Sequence, residues 1–176
     1  MTDSLADQIL NSLRPIPDHP KPGIVFQDIT PVLQDAVLFR QVIEGLAEPF
    51  KDTQITYVLG IEARGFILGA PVAVLLGAGF LPARKPGKLP WLTVKEEYAL
   101  EYGTDALEAH RDACPHPSRV LVVDDVLATG GTAKAAGRLV ASLGGRLVGW
   151  SFMLELGFLS GRAQLSGAPC HALAAR

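Results

Sequence analysis

The clearest pattern along the chain is the helical spacing of apolar residues in three stretches, at positions 6–13, 39–46 and 136–143. In each stretch the apolar residues lie three and four positions apart, which places them on one face of a helix. Pro15 ends the first helix, and Asp35 is available to cap the second at its N-terminus. The pattern therefore predicts three amphipathic helices.

Short runs of apolar and β-branched residues alternate with helical stretches along the rest of the chain. One run covers residues 55–59 and leads through a loop into an apolar helical segment at about 66–76. A second run covers 120–123, and 146–154 is predicted to be a third buried strand. Such alternation predicts an α/β fold, a doubly wound and mostly parallel sheet with helices on both faces. Ligands of these sheets bind at the carboxyl ends of the strands.

Composition narrows the class of protein. The 176 residues, of which 48% are hydrophobic, suit one domain over residues 1–176. A net charge of −2 provides no general basic surface for nucleic acid or an anionic membrane. The two cysteines, Cys114 and Cys170, form no CxxC pair, and the N-terminus has no signal-peptide pattern. We expect a cytoplasmic protein that binds neither nucleic acid nor a membrane.

The most informative stretch is 120–132, where a buried strand leads into two acids and a loop of small residues. The acids are Asp124 and Asp125, and the loop contains Ala128, Thr129, Gly130, Gly131 and Thr132. Backbone N–H groups at a helix start bind phosphate, and glycine lets the backbone approach it closely. Two carboxylates would repel a bare polyphosphate but suit the vicinal hydroxyls of a ribose. The stretch thus predicts a sugar-phosphate site, against the alternative of a capped turn with incidental acids.

Other phosphate motifs fit the sequence less well. Gly60 and Gly65 have the spacing of a nucleoside-triphosphate loop, but Phe66 stands where that loop needs lysine. No G-x-G-x-x-G motif follows a strand. Kinase and dinucleotide-binding functions are therefore rejected.

Residues 120–132 resemble the phosphoribosyl pyrophosphate motif of the type I phosphoribosyltransferases. Further matches span nearly the whole chain and are most similar to the adenine-specific members; they lie at 22–26, 28–31, 64–66, 84–90 and 100–103. The resemblance implies a glycosyltransferase of purine salvage, which joins N9 of adenine to phosphoribosyl pyrophosphate and releases AMP and pyrophosphate. It also implies a small base-binding hood within about 1–34 and a flexible, β-like flap at about 88–103.

Two clusters are implied to hold pyrophosphate. Glu62, Ala63 and Arg64 lie between a predicted strand and helix, where a guanidinium and loop amides can face an anion. In the resembling enzymes this loop contains a cis peptide bond, here Glu62–Ala63. The second cluster is basic and consists of Arg84, Lys85 and Lys88. For Arg64 the alternative is an ordinary surface arginine at a helix start, and without the resemblance the basic cluster would usually be a solvated loop. Because the arginine equivalent to Arg84 reaches the neighbouring subunit's site in those enzymes, a homodimer is expected.

The base site is implied by two further matches. Val25, Phe26 and Gln27 would hold the base, with the aromatic ring stacking on it. Glu101 would lie over the purine and assist N7, with Tyr102 beside it on the flap; alone, such a glutamate usually means solvated surface. The resembling enzymes usually have arginine where this chain has Gln27. The catalytic residues are thus expected to be Glu101, Asp124 and Asp125.

Mg²⁺ is the expected cofactor, held by pyrophosphate and ribose oxygens with no direct protein ligand. Two rival functions remain open: transfer to another base, such as hypoxanthine or orotate, and non-catalytic sensing of phosphoribosyl pyrophosphate. A sensor would normally carry an added basic DNA-binding module, and only about 25 residues precede the core.

Overall fold

A computed structural model of the chain describes residues 3–99, 104–115 and 117–176. The helices are α1 (Leu5–Ser12), α2 (Thr30–Gln34), α3 (Ala36–Ala47), α4 (Arg64–Leu75) and α5 (Gly131–Ser142). The strands are β1 (Arg14–Ile16), β2 (Phe26–Asp28), β3 (Tyr57–Ile61), β4 (Gly79–Ala83), β5 (Thr93–Ala99), β6 (Thr104–His110), β7 (Arg119–Leu127), β8 (Arg146–Glu155) and β9 (Cys170–Ala175).

The central sheet has five strands in the order β4-β3-β7-β8-β9, and every neighbouring pair is parallel. Alternate residues of β7 serve the two faces of this sheet. Leu121 and Val123 belong to a core that α1, α3 and α4 cover. Val120 and Val122 belong to a second core, which α5 covers. Helices on both faces confirm the predicted doubly wound α/β fold.

The predicted helices form for the expected local reasons. The Asp35 carboxylate accepts hydrogen bonds from the N–H groups of Val37 and Leu38 at 2.9 and 3.0 Å, so Asp35 is the N-cap of α3. At α1, Ser4 and Asp7 form a capping box, in which each side chain accepts a bond from the other's backbone. No helix in the described part of the chain is long and apolar enough to cross a membrane.

The structure corrects the predicted end of β7. The hydrophobic run ends at Val123, but the strand continues to Leu127 because its backbone stays paired with β8, from Asp124 with Phe152 to Leu127 with Glu155. Asp124 and Asp125 therefore lie within the strand rather than after it. A strand fixes alternate side chains on opposite faces, so the two carboxylates are held in a more defined geometry than a loop would give.

Two small antiparallel hairpins stand apart from the central sheet. One pairs β1 with β2 and contains Phe26; it lies in the segment predicted to form the hood, and we call it the hood. The other pairs β5 with β6, from Thr93 opposite His110 to Ala99 opposite Thr104. Its first strand lies in the segment predicted to form the flap, and we call this hairpin the flap; its return strand was not predicted. Residues 100–103, which include Glu101 and Tyr102, lie outside the described residues.

The strand order creates a crevice between β3 and β7. After β3 the chain crosses through α4 to β4 on one side, and after β7 it crosses through α5 to β8 on the other. The two crossovers diverge at this point, which leaves a gap at the carboxyl ends of β3 and β7 where ligands of open α/β sheets bind. The residues predicted to bind pyrophosphate and ribose follow β3 or β4, or lie at the end of β7.

Candidate active site

A cavity of about 460 Å³ opens at the carboxyl ends of β3 and β7. The hood contributes Ile24, Val25, Phe26 and Gln27 to its lining; the end of β3 and start of α4 contribute Ile61, Glu62, Ala63 and Arg64; Lys85 precedes the flap; β7 and its loop contribute Asp124, Asp125, Val126, Ala128 and Thr132; and Leu156 and Leu159 follow β8. The fold thus brings together residues more than 130 positions apart.

The two acids of β7 have different partners. Asp125 is buried and accepts a hydrogen bond and ion pair from Arg64 Nε, across from the start of α4. Asp124 is half-buried, and its Oδ1 accepts the N–H of Asp125 at 2.9 Å. Gly65 lets α4 begin this close to the acids, because a Cβ there would lie 2.8 Å from Asp124 Oδ1.

Burial raises the pKa of Asp124 well above the ordinary value, and repulsion from the Asp125 carboxylate adds to the shift. A carboxyl group that ionises reluctantly gains from donors that favour its charged form. Hydroxyl groups of a bound sugar are such donors, so this pair of acids fits a polyol better than an anion.

The loop after β7 forms the start of α5 and borders a small cavity of about 80 Å³, lined in part by Ala128, Thr129, Gly130 and Thr132. Gly130 is the residue before the helix, has φ of 83°, and makes no side-chain cap, so the first N–H groups of α5 point outward from a left-handed turn. Gly161 packs beneath this loop. A Cβ on Gly161 would lie 2.0 Å from the Ala128 carbonyl oxygen.

The basic cluster surrounds a buried carboxylate. The Glu62 side chain, 7% exposed, pairs with Arg84 Nε at 2.9 Å and Lys88 Nζ at 3.1 Å, and accepts the N–H of Lys85 at 2.9 Å. Burial pushes the pKa of Glu62 upward, but these three hydrogen bonds outweigh it and the pKa is lowered. Glu62 thus fixes the loop that carries all three cations. The Glu62–Ala63 peptide bond is cis, as the resemblance implied.

Lys85 is the only residue of the basic cluster among the residues lining the described cavity. Its ammonium group donates to the Tyr98 hydroxyl and forms an ion pair with Asp105, both on the flap hairpin. Burial opposes the charged form of Lys85, but the bonds to Asp105 and Tyr98 outweigh it and raise the pKa. The flap is therefore tied to the cavity through one cation.

The hood covers the cavity with an aromatic ring. The Arg64 guanidinium carbon lies 5.5 Å from the centre of the Phe26 ring, within the range of a cation–π contact. Arg64 therefore contacts both Phe26 and Asp125. Val25 is 52% exposed, whereas Gln27 is buried and 9% exposed. A flat apolar ligand could lie between the Phe26 side of the cavity and the side formed by Leu156 and Leu159.

Several residues at the site were not predicted from the sequence. Leu156 and Leu159 line the cavity, and Gly161 packs against the loop of residues 128–132, which is the predicted phosphate loop. Asp105 pairs with Lys85, and Arg176 donates a hydrogen bond to Gln27. None lies in a motif with a periodic or compositional signal, and each meets its partner only through the tertiary fold.

Asp124 and Asp125 are suited to bind a hard cation such as Mg²⁺ only through the oxygen atoms of a bound ligand. In the described ranges no three His, Cys, Asp or Glu side chains are grouped so that they could hold a metal ion. Asp125 is already paired with Arg64, and ionisation of Asp124 is disfavoured. Oxygen atoms of a bound phosphate and sugar would have to supply most ligands for Mg²⁺.

Comparisons with known proteins agree with this site. A model of the phosphoribosyl transferase domain matches residues 33–151. An adenine phosphoribosyltransferase of Myxococcus xanthus is 59% identical over 94% of this chain and 90% of that protein. One from Thermobifida fusca is 55% identical over 99% of both chains.

Solved structures of adenine phosphoribosyltransferases are also similar to this chain. A crystal structure of adenine phosphoribosyltransferase from Rhodothermus marinus is 51% identical, with a TM-score of 0.94 and 98% of both chains covered. The Saccharomyces cerevisiae enzyme, solved with an imino-altritol bisphosphate and adenine, is 42% identical, with a TM-score of 0.89 and coverage of 96% of this chain and 98% of that one. The chain therefore belongs to the phosphoribosyltransferase family and, within it, to the adenine phosphoribosyltransferases.

Proposed function

We propose that this enzyme transfers the 5-phosphoribosyl group of phosphoribosyl pyrophosphate to N9 of adenine, giving AMP and pyrophosphate. The observation that carries the proposal is the single cavity between β3 and β7, in which an aromatic wall, a pair of acids, cations and a phosphate loop face one another. Relatives at 55–59% identity are named for this activity, and the yeast relative was solved with adenine.

The ribose phosphate half of the substrate lies along β7 and its loop. The 5-phosphate accepts hydrogen bonds from N–H groups and hydroxyls of the loop, whose residues are Ala128, Thr129, Gly130, Gly131 and Thr132. The 2- and 3-hydroxyls donate to Asp124 and Asp125. These bonds favour the ionised form of Asp124, which burial disfavours in the free enzyme.

Pyrophosphate binds on the β3 side of the cavity. Arg64 and the amides of Glu62 and Ala63 face it there, with Lys85 opposite. Arg64 forms an ion pair with Asp125 in the free enzyme. When substrate binds, this ion pair is replaced by charge-assisted hydrogen bonds from Arg64 to pyrophosphate and from the ribose hydroxyls to Asp125. Lys88 adds positive charge from the loop that Glu62 fixes, and Arg84, which pairs with the same carboxylate, is assigned to the neighbouring subunit's pyrophosphate site.

The base lies against Phe26, and the backbone of Val25 and Gln27 reads its edge. We assign to Glu101, which lies outside the described residues, a hydrogen bond or proton transfer to N7 of the purine, and to Tyr102 a supporting contact beside it. Pyrophosphate leaves the sugar C1 with the bonding electrons, N9 bonds to C1, and the ring proton that the base loses passes to pyrophosphate or to water. A proton that Glu101 donates to N7 returns to the Glu101 carboxylate. Clamping both reactants and excluding water supply most of the rate enhancement.

Oxygen atoms of pyrophosphate and the ribose would hold Mg²⁺, which when bound would supply positive charge against the leaving group. Asp124 and Asp125 are the residues that would lie nearest to it through the sugar. A homodimer is the proposed working unit, with Arg84 reaching the partner's pyrophosphate site, and the cytoplasm is the proposed location.

The test is to incubate the purified enzyme with Mg²⁺, phosphoribosyl pyrophosphate and one base at a time, and to measure nucleotide and pyrophosphate. AMP formed from adenine alone supports the proposal. Nucleotide formed from hypoxanthine or orotate instead would overturn the base specificity. Binding of phosphoribosyl pyrophosphate without turnover of any base would favour a sensor.

A further inference from the structure

The two walls of the cavity that would enclose the base are joined by one side chain from the far end of the sequence. Arg176 Nη1 donates a hydrogen bond to Gln27 Oε1 at 2.9 Å, across 149 positions of the chain. Gln27 lies in the hood wall, next to Phe26. No sequence motif includes Arg176, and no role in the transfer described above uses it.

Arg176 is itself fixed to the opposite wall by its backbone. Its N–H donates to the Glu155 carbonyl at 2.9 Å, and its carbonyl accepts the N–H of Gly157 at 2.9 Å. These two bonds bracket Leu156, which lines the same cavity as the hood residues 24–27. The guanidinium therefore connects the strand end that carries Leu156 with the hairpin that carries Phe26.

The contact also fixes the orientation of the Gln27 amide. A guanidinium only donates hydrogen bonds, so the amide oxygen must face Arg176 and the amide nitrogen must face away. That nitrogen lies 3.4 Å from the Val25 carbonyl oxygen and donates to it. Because Gln27 is 9% exposed, water cannot easily replace the arginine as the donor. The Gln27 amide thus bonds to Arg176 through its oxygen and to the Val25 carbonyl through its nitrogen, and these two bonds fix the backbone of residues 25–27.

Position 27 is also where this chain departs from the enzymes it resembles, which usually carry arginine there. In this chain the residue is an uncharged amide, and a guanidinium contacts it from residue 176.

We propose that Arg176 is a positioning residue for the base: through Gln27 it sets the separation and alignment of the two cavity walls between which adenine binds. This inference rests on the proposed function, because it assigns the base to the space between Phe26 and Leu156. Arg176 is not among the residues that line the described cavity, so its assigned action on the base is through Gln27.

The first test compares steady-state kinetics of the wild-type enzyme with those of Arg176→Ala. Loss of one charge-assisted hydrogen bond to a buried amide is expected to raise KM for adenine roughly tenfold. KM for phosphoribosyl pyrophosphate and kcat at saturating adenine should change by less than about twofold, because the phosphate loop and the acids do not contact Arg176. Arg146→Ala, which removes an exposed arginine at the other end of β8, is the matched control and should behave as wild type.

The second test exchanges the two positions. Gln27→Arg alone sets two guanidinium groups against each other and should raise KM for adenine. Gln27→Arg combined with Arg176→Ala supplies one guanidinium from the hood and should bring KM for adenine back to within about threefold of wild type. A purely structural role for Arg176 would lower the melting temperature and give no such recovery.

The outcomes separate this inference from the proposed function. If the wild-type enzyme fails to turn over adenine, the proposed function is wrong. If wild type is active and Arg176→Ala has an unchanged KM for adenine, only the positioning role is wrong. Equal losses in both KM values, without recovery in the double variant, would also overturn it.

Discussion

The contact between Gly161 and the phosphate loop can be tested with one methyl group. In Gly161→Ala, the new Cβ would lie 2.0 Å from the Ala128 carbonyl oxygen and 2.9 Å from the Gly130 nitrogen. Both are backbone atoms, so no side-chain rotation relieves the clash. An ordinary carbon–oxygen contact is about 3.3 Å or more, so the loop or the Gly161 segment must move by about 1.3 Å.

A displacement of this size falls where the 5-phosphate is proposed to bind. A misplacement of about 1 Å in a binding element costs on the order of 100-fold in rate, or about 2.7 kcal/mol of transition-state stabilisation. We therefore expect kcat/KM for phosphoribosyl pyrophosphate to fall about 100-fold in Gly161→Ala, with a smaller change in KM for adenine. Overpacking of this kind also lowers the free energy of unfolding by about 1–3 kcal/mol.

The assay is initial-rate kinetics with phosphoribosyl pyrophosphate varied at saturating adenine, together with a thermal melt. Gly157→Ala is the matched control from the same segment, because its Cβ would lie 3.6 Å from the nearest atom, the Arg176 carbonyl oxygen. That control should retain wild-type kinetics. Wild-type kinetics and melting temperature in Gly161→Ala would refute the reasoning, since they would show that the loop does not need this close approach.

Three further predictions concern charged residues of the site. Asp124→Asn should stabilise the free enzyme at pH 7 and lower its activity. The folded chain binds the Asp124 proton more tightly than the unfolded chain does, so ionisation of Asp124 lowers the free energy of unfolding above the raised pKa. This cost disappears below the ordinary pKa of 3.8. A gain of about 1 kcal/mol would raise the melting temperature by roughly 2–4 °C at pH 7, and the gain should shrink towards pH 4; a destabilised variant would count against this electrostatic explanation. Glu101→Gln should lower kcat by about 100-fold with little change in phosphoribosyl pyrophosphate binding, and an unchanged kcat would remove Glu101 from the mechanism. Lys85→Ala should raise KM for phosphoribosyl pyrophosphate about tenfold, whereas Asp105→Asn, which keeps an oxygen near Lys85, should have a smaller effect; equal effects would show that Lys85 acts through the flap alone.

The sequence predicted the elements whose apolar residues repeat at a regular local spacing. The three amphipathic helices formed within a few residues of their predicted bounds, because apolar spacing and the Asp35 cap act within one turn. The end of β7 was predicted too early. Polar residues at 124 and 125 interrupt the hydrophobic run, but pairing with β8, which local sequence does not record, continues the strand.

The same distinction applies to the site. The phosphate loop and the acids were recognisable because their chemistry lies within one stretch, 120–132. The ion pairs were not, because Arg64 meets Asp125 and Glu62 meets Arg84 only after α4 and the crossovers are in place. Glu62 was expected to face pyrophosphate through the loop amides, which stays a prediction. The ion pairs that its side chain forms with Arg84 and Lys88 were not predicted. Arg176 had no signal at all, since its partner lies at the opposite end of the chain.

The most direct test of the central claim is a crystal structure of the enzyme with AMP bound. The account predicts the phosphate of AMP at the loop of residues 128–132, the ribose hydroxyls at Asp124 and Asp125, and the adenine ring between Phe26 and Leu156. AMP bound outside this cavity, or with its base in the phosphate loop, would contradict the assignment of the site.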